Sequence, residues 1–301
     1  MNMFPIAFHP IYKHPLPEGH RFPMLKYDLL PQQLLYEGTA TASDFFEPAL
    51  PDIAPVLAVH KKEYVNDLLN LTLDARAARK IGFPLSAELV ERELRIANGT
   101  ILGAEKALQT GIAFNIAGGT HHAYSTHGEA FCLLNDHAIA AQYLLDHNLV
   151  KKVLIVDLDV HQGNGTAEIF AGKPDVFTFS MHGQSNYPFR KETSDLDIAL
   201  KDNTGDDDYL NILKETLPKL IDAEKPDFIF YLSGVDILAT DKLGKLRCTV
   251  QGCKQRDEIV LSLTHKRGIP VQCSMGGGYS PDIKTIIEAH ANTYRVARQL
   301  Y

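Results

Sequence analysis

Asp157, Asp159 and His161 stand two residues apart in the stretch Asp157-Leu158-Asp159-Val160-His161-Gln162-Gly163-Asn164-Gly165. In an extended chain, residues spaced in this way point to one side. Two carboxylates and an imidazole gathered at the end of an apolar run are expensive to bury unless something compensates them. A divalent cation does so, since aspartate oxygen and histidine nitrogen both suit Zn²⁺; the plainer alternative is a hydrogen-bonded network without an ion. Asp236, in Ser233-Gly234-Val235-Asp236, follows a second apolar run and offers a third ligand. Asp159, His161 and Asp236 together would leave one coordination position open, as a catalytic zinc requires. Taken alone, Asp236 could equally cap a helix. Two further clusters matter. Gly118-Gly119-Thr120-His121-His122 puts tandem histidines behind a glycine pair that lets the backbone turn tightly. Gly276-Gly277-Gly278-Tyr279 gives a backbone able to approach a ligand at Gly277, with a tyrosine placed to donate to a developing oxyanion. A glycine-rich turn with an incidental tyrosine is the ordinary reading of that cluster.

The elements that must position these clusters are short apolar runs alternating with longer amphipathic segments. Strands are predicted over 6–9, 56–60, 112–117, 153–157, 176–180, 227–232 and 271–274. Helices are predicted over 86–109, 135–147, 208–223, 251–266 and 281–300, with Ser86 as an N-cap and Gly111 and Gly268 at C-caps. The runs VLIVD and FIFYL read as strands buried on both faces, as in a parallel sheet. This alternation predicts an α/β fold with a mainly parallel central sheet flanked by helices. No linker divides it, so residues 1–301 are expected to form one catalytic domain. In such sheets ligands bind at the carboxyl ends of strands, which is where all four clusters fall.

Composition narrows the function. The chain carries a net charge of −7, which argues against broad binding to nucleic acid or an anionic membrane and permits a cationic or neutral substrate. No apolar run is long enough to span a bilayer, and the N-terminus lacks the basic and apolar regions of a signal peptide. The four cysteines, Cys132, Cys248, Cys253 and Cys273, form no disulfide-like framework. A cytoplasmic location with reduced thiols is expected.

In this order and spacing, the four clusters resemble the zinc-dependent histone deacetylase family of the arginase–deacetylase fold. The similarity runs from His14-Pro15-Leu16-Pro17-Glu18-Gly19-His20 to the GGGY stretch, and the string His161-Gln162-Gly163-Asn164-Gly165 is most similar to class IV and its bacterial relatives. The resemblance implies zinc on Asp159, His161 and Asp236, with Fe²⁺ as the alternative ion. It implies catalytic roles for His121, His122 and Tyr279, with Asp157 behind His121 and Asn164 behind His122. It puts Phe131 on the wall of an acyl-lysine tunnel and Leu243 on its rim. A structural K⁺ would use main-chain oxygens of Asp157, Asp159 and His161, with Ser180 and Met181.

The implied activity is hydrolysis of an acyl-amide on a lysine side chain of a peptide or protein. Hydrolysis of acetylpolyamines or other small acyl-amines is the second reading, and a silent acyl-lysine-binding module the third. Two-metal ureohydrolase chemistry is disfavoured because Gly163 and Leu238 stand where that family has aspartates. One departure bears on substrate. Many histone-directed relatives have an aspartate in the loop that grips the substrate backbone, and here the comparable stretch is Gly82-Phe83-Pro84. This weakens a histone peptide as substrate and leaves longer acyl groups open. Cys132, His9, His14 and His20 are assigned no chemistry.

Overall fold

The computed structural model describes residues 4–301. Its strands are β1 (Ile6–Ala7), β2 (Phe45–Phe46), β3 (Ile112–Asn115), β4 (Val153–Asp157), β5 (Val176–Gly183), β6 (Leu196–Leu200), β7 (Phe228–Leu232) and β8 (Val271–Ser274). Its helices are α1 (Lys26–Tyr36), α2 (Ala54–Leu57), α3 (Lys62–Leu69), α4 (Ala75–Ile81), α5 (Ala87–Thr110), α6 (Asp136–Asp146), α7 (Asn164–Phe170), α8 (Asp206–Glu224), α9 (Val250–Arg267) and α10 (Ile283–Leu300).

The strands form one open sheet in the order β2-β1-β3-β8-β7-β4-β5-β6, and every pairing is parallel. Every residue of β3, β4, β7 and β8 is buried. Helical crossovers cover both faces of such a sheet, and the near-continuous apolar runs follow from that. The helices begin and end where their side chains dictate. Ser86 Oγ accepts from the Leu89 N–H at the start of α5, and Gly111 ends it at φ +85°. Thr249 caps α9, and Gly268 ends it at φ +63°. Asp206, Asp207 and Asp208 occupy the first turn of α8, where the helix dipole favours carboxylates.

Residues 56–60 do not form the predicted strand. Pro55 stands in the first turn of α2, where its missing N–H is no loss, and the turn continues with His60 N–H bonded to Val56 O at 2.8 Å. The strands β2 and β6 are additions to the prediction, as are α1, α3, α4 and α7. The edge strand β6 is only partly covered apart from Leu200, which explains its weak apolar signal. The loops after β3, β4, β7 and β8 leave four neighbouring strands in the middle of the sheet, and they carry the four polar clusters.

Candidate active site

The loops after β4 and β7 hold Asp159, His161 and Asp236 with one donor atom from each within 4.8 Å of the others, all buried. The main chain fixes both carboxylates. Asp159 Oδ2 accepts from the Gly277 N–H at 2.8 Å, and Asp236 Oδ1 accepts from the Val160 N–H at 2.8 Å. The remaining oxygens, Asp159 Oδ1 and Asp236 Oδ2, lie 3.0 and 3.1 Å from His161 Nδ1. Burial and the neighbouring charge of Asp159 push the Asp236 carboxyl up to about 7. Burial would lower His161, but the two carboxylates outweigh it and hold the imidazole up at about 10. Protons here do the work of a cation, so the donor set fits a divalent ion of the zinc type.

Gly277 and Gly234 leave room for this arrangement. A Cβ at Gly277 would collide with Asp236 Oδ2 and stand 2.7 Å from Asp159 Oδ2, and one at Gly234 would collide with Asp159 Oδ2. Gly277 lines the inner cavity, as expected of a residue facing substrate, but its N–H is committed to Asp159. A Cβ at Gly163 would likewise collide with Asp157 Oδ2.

The loop after β3 brings His121 and His122 beside this group, their ring centroids 4.1 Å apart. His121 Nδ1 is 2.6 Å from Asp157 Oδ2, and His122 Nδ1 is 2.6 Å from Asn164 Oδ1. Burial disfavours the charged form of both. For His121 the Asp157 carboxylate outweighs burial and raises the pKa. For His122 burial is joined by the charges of His121 and His161, which hold it well below 6.5. Asn164 Oδ1 can only accept, so Nδ1 of a neutral His122 carries the proton and Nε2 is left as the basic atom. The amide is itself held, because Asn164 Nδ2 donates to Glu129 Oε1 at 2.8 Å and to Tyr124 Oη at 3.0 Å. Neither Glu129 nor Tyr124 was anticipated from sequence.

Tyr279 lines the same cavity. Burial, then the carboxylates Asp159 and Asp236, push its phenol far above the ordinary value, so it stays a neutral donor. Two unanticipated groups place it. Asp241 Oδ2 accepts from the Tyr279 N–H at 2.6 Å, and Lys26, fully buried, donates from Nζ to Gly276 O at 2.9 Å and sits 5.6 Å from the Tyr279 ring centroid. Burial lowers Lys26 to about 8. Beneath the loops, Arg256 donates to Gly234 O at 2.5 Å and Ser233 O at 3.1 Å and pairs with Asp257 at 2.8 Å. Asp257 also accepts from Tyr231 and Thr293. This buried pair clamps the turn that presents Asp236. Two charged residues within the run Lys254-Gln255-Arg256-Asp257-Glu258 of a predicted helix gave no sign of it.

Beyond this group, Phe131 lines both an inner cavity of about 40 Å³ and an outer one of about 390 Å³. Ala130 and Phe131 are both left-handed, at φ +48° and +70°, a strained conformation for residues with side chains. Hydrogen bonds from their N–H groups to Lys80 O and Ile81 O, at 2.9 and 2.6 Å, hold them there. Gly82 comes so close that a Cβ would stand 3.1 Å from the Phe131 ring, and Phe83 packs against Phe22 and Phe131. The 82–84 stretch therefore supports Phe131 from behind. His20 joins it, with Nε2 2.9 Å from Gly82 O. Cys132 is buried, and burial raises its thiol well above the usual range, which fits a packing role. Leu243 lines the outer cavity, where its carbonyl accepts from Asn186 Nδ2 at 2.7 Å. For the potassium reading, Asp157 and Ser180 are register partners across β4 and β5, and Met181 follows; all are buried.

An open parallel sheet with these residues at the ends of its central strands is the arginase–deacetylase fold. Comparison with known proteins gives the family. The histone deacetylase domain family matches residues 20–294. An uncharacterised protein of Picosynechococcus is 47% identical over 99% of both chains. Histone deacetylase 2 of Arabidopsis thaliana is 28% identical over 89% of this chain and 72% of its own. The acetoin utilization protein AcuC of Staphylococcus aureus is 28% identical over 87% of this chain and 73% of its own. The crystal structure of the HDA15 HD domain superposes with a TM-score of 0.83 at 20% identity, covering 99% of this chain and 88% of that one. The chain belongs to the histone deacetylase family, whose members hydrolyse amides. No helix among the described residues is long and apolar enough to cross a membrane.

Proposed function

We propose that the protein is a zinc-dependent amidohydrolase that removes acyl groups from lysine side chains. The observation that carries this reading is the convergence of Asp159, His161 and Asp236 next to a supported neutral imidazole and a neutral phenol. Zn²⁺ held by these three residues would supply Lewis acidity toward the acyl carbonyl and lower the pKa of a bound water to roughly 7. His122 Nε2 takes the proton of the attacking water and returns one to the departing lysine amine. Asn164 keeps the imidazole in the tautomer that leaves Nε2 free. His121, biased toward the charged form by Asp157, acts electrostatically on the developing negative charge. Tyr279 donates to the oxyanion; no other group accepts from its hydroxyl among the described residues. Phe131 and Leu243 guide the acyl-lysine stem. A K⁺ bound by main-chain oxygens near Asp157 and Ser180 would brace the loop after β4. Burial of all four cysteines as free thiols supports a reducing, cytoplasmic setting.

The test is a deacylation panel on zinc-loaded and metal-stripped protein. It compares lysine peptides bearing acetyl, butyryl, octanoyl and myristoyl groups with acetylated polyamines. Metal-dependent release from lysine peptides is expected. Release from polyamines alone would move the protein to the second reading, and zinc binding without any hydrolysis would make it an acyl-lysine-binding module.

A further inference from the structure

Building on the hydrolase reading, we propose that the mouth of this site selects an acyl-lysine flanked by acidic residues. The outer cavity of about 390 Å³ has three charged side chains besides the histidines in its lining, Arg21, Lys80 and Lys245, and no carboxylate lines it among the described residues. The ion pairs of the described residues use other lysines and arginines. Each of the three residues is nevertheless anchored by at least one contact. The Arg21 guanidinium lies 5.0 Å from the Phe131 ring centroid. The Lys80 carbonyl is bonded to the Ala130 N–H, which fixes its backbone beside Phe131. Lys245 Nζ donates to Ser185 O and Oγ at 3.1 and 3.0 Å. The carboxylates around the mouth are engaged: Asp202 accepts from the Ser185 hydroxyl that Lys245 Nζ also contacts. Asp241 accepts from Leu243, Gly244 and Tyr279 N–H, and Glu129 accepts from Asn164.

A cationic ring on a chain of net charge −7 is a local reversal of sign. Fields of this kind raise the local concentration of opposite charge and the association rate, and salt weakens them. Arg21 and Lys80 stand on the Phe131 side and Lys245 on the side of Ser185 and Leu243. Acidic residues before and after the acyl-lysine would each meet a cation, whereas a molecule with one carboxylate would meet one at a time. The apolar lining of Phe131, Tyr187, Phe189 and Leu243 receives the aliphatic stem. Basic histone-tail sequences and polyamines carry the sign this mouth repels.

The test uses the zinc-loaded full chain and three acetyl-lysine peptides of equal length, flanked by aspartates, by serines or by lysines. At low salt kcat/KM is expected to fall in that order by about tenfold or more between the extremes, with the gap closing at high salt. Anisotropy of the labelled peptides on metal-free protein should give the same order without turnover. The double variant K80E/K245E should reverse the order, read as a ratio between peptides within one preparation so that partial misfolding cancels. Equal rates for all three peptides, or a preference for lysine flanks, with metal-dependent turnover intact, would overturn the mouth assignment alone. No metal-dependent turnover of any peptide, with no charge order in binding, would overturn it together with the hydrolase reading.

Discussion

At the floor of the cavity, Asp159 and Asp236 each have one oxygen tied to a main-chain N–H, and Arg256 with Asp257 clamps the turn beneath them. At the mouth, Arg21, Lys80 and Lys245 stand in solvent without a carboxylate partner, and Phe189 is 91% exposed. The two regions meet at Phe131, which lines both cavities. The difference teaches a division of labour. Charges that must be desolvated to act on an amide are over-determined by several elements. Charges that only meet a substrate's flanks lean on one or two contacts each, and substitution there can retune selection without disturbing the chemistry.

The comparison breaks first at the floor. Asp236→Asn should abolish both stoichiometric zinc, read by metal analysis, and turnover, because it removes an anionic ligand. Tyr279→Phe should keep zinc and lose roughly 10²–10³ in kcat; near-normal activity with zinc bound would remove the tyrosine from the reaction. Arg256→Ala leaves Asp257 buried without its partner, and chemical denaturation should show a loss of about 3–5 kcal/mol. Glu129→Ala frees the Asn164 amide and should lower kcat about tenfold or more with KM little changed, while Glu129→Gln, which keeps an acceptor oxygen, should restore most of it. At the mouth, Phe189→Ala should leave stability within about 0.5 kcal/mol. A large stability loss there would mean that the mouth is as constrained as the floor.

Acidity sharpens the same contrast. The His122 base is held well below 6.5 by burial and the neighbouring imidazoles, so it is neutral at pH 7 and the acid limb of kcat/KM should lie below that value. Without metal, His161 is held up at about 10 and Asp236 at about 7. Protons held there at neutral pH would have to leave on binding of a divalent ion. Calorimetry in buffers of different ionisation enthalpy should detect proton release on zinc binding, and affinity should fall as pH falls.

Much of the floor was legible in the sequence because the polar clusters follow apolar runs that read as buried strands. Asp159 and His161 after VLIVD, and Asp236 after FIFYL, are placed by that rule. The helix caps at Ser86, Gly111 and Gly268 were legible because their chemistry is local. The supports were not. Lys26, Glu129, Asp241 and Arg256 reach the site from elsewhere in the chain, Lys26 from a residue 250 positions before its acceptor Gly276, and no spacing pattern encodes such a contact. The 56–60 run failed for a related reason: a short apolar stretch does not distinguish a strand from a helical turn, and Pro55 decided it. Gly277 was expected to face substrate; it lines the cavity, and its N–H also holds the Asp159 carboxylate, which no spacing pattern foretold.

The position of β8 has a consequence for how the molecule is made. It pairs with β3 on one side and β7 on the other, yet it is the last strand to be synthesised. Until residues 271–274 have left the ribosome, β2-β1-β3 and β7-β4-β5-β6 have no strand to join them, and their facing edges lack a partner. A chain halted there carries Asp159, His161 and Asp236 but lacks Gly277, which fixes Asp159, and Tyr279. Bridging distant segments so late makes the topology slow to close and exposes strand edges that invite association with other chains. A chain cut before β8 would therefore lack both Gly277 and Tyr279 and would leave two strand edges open to other chains.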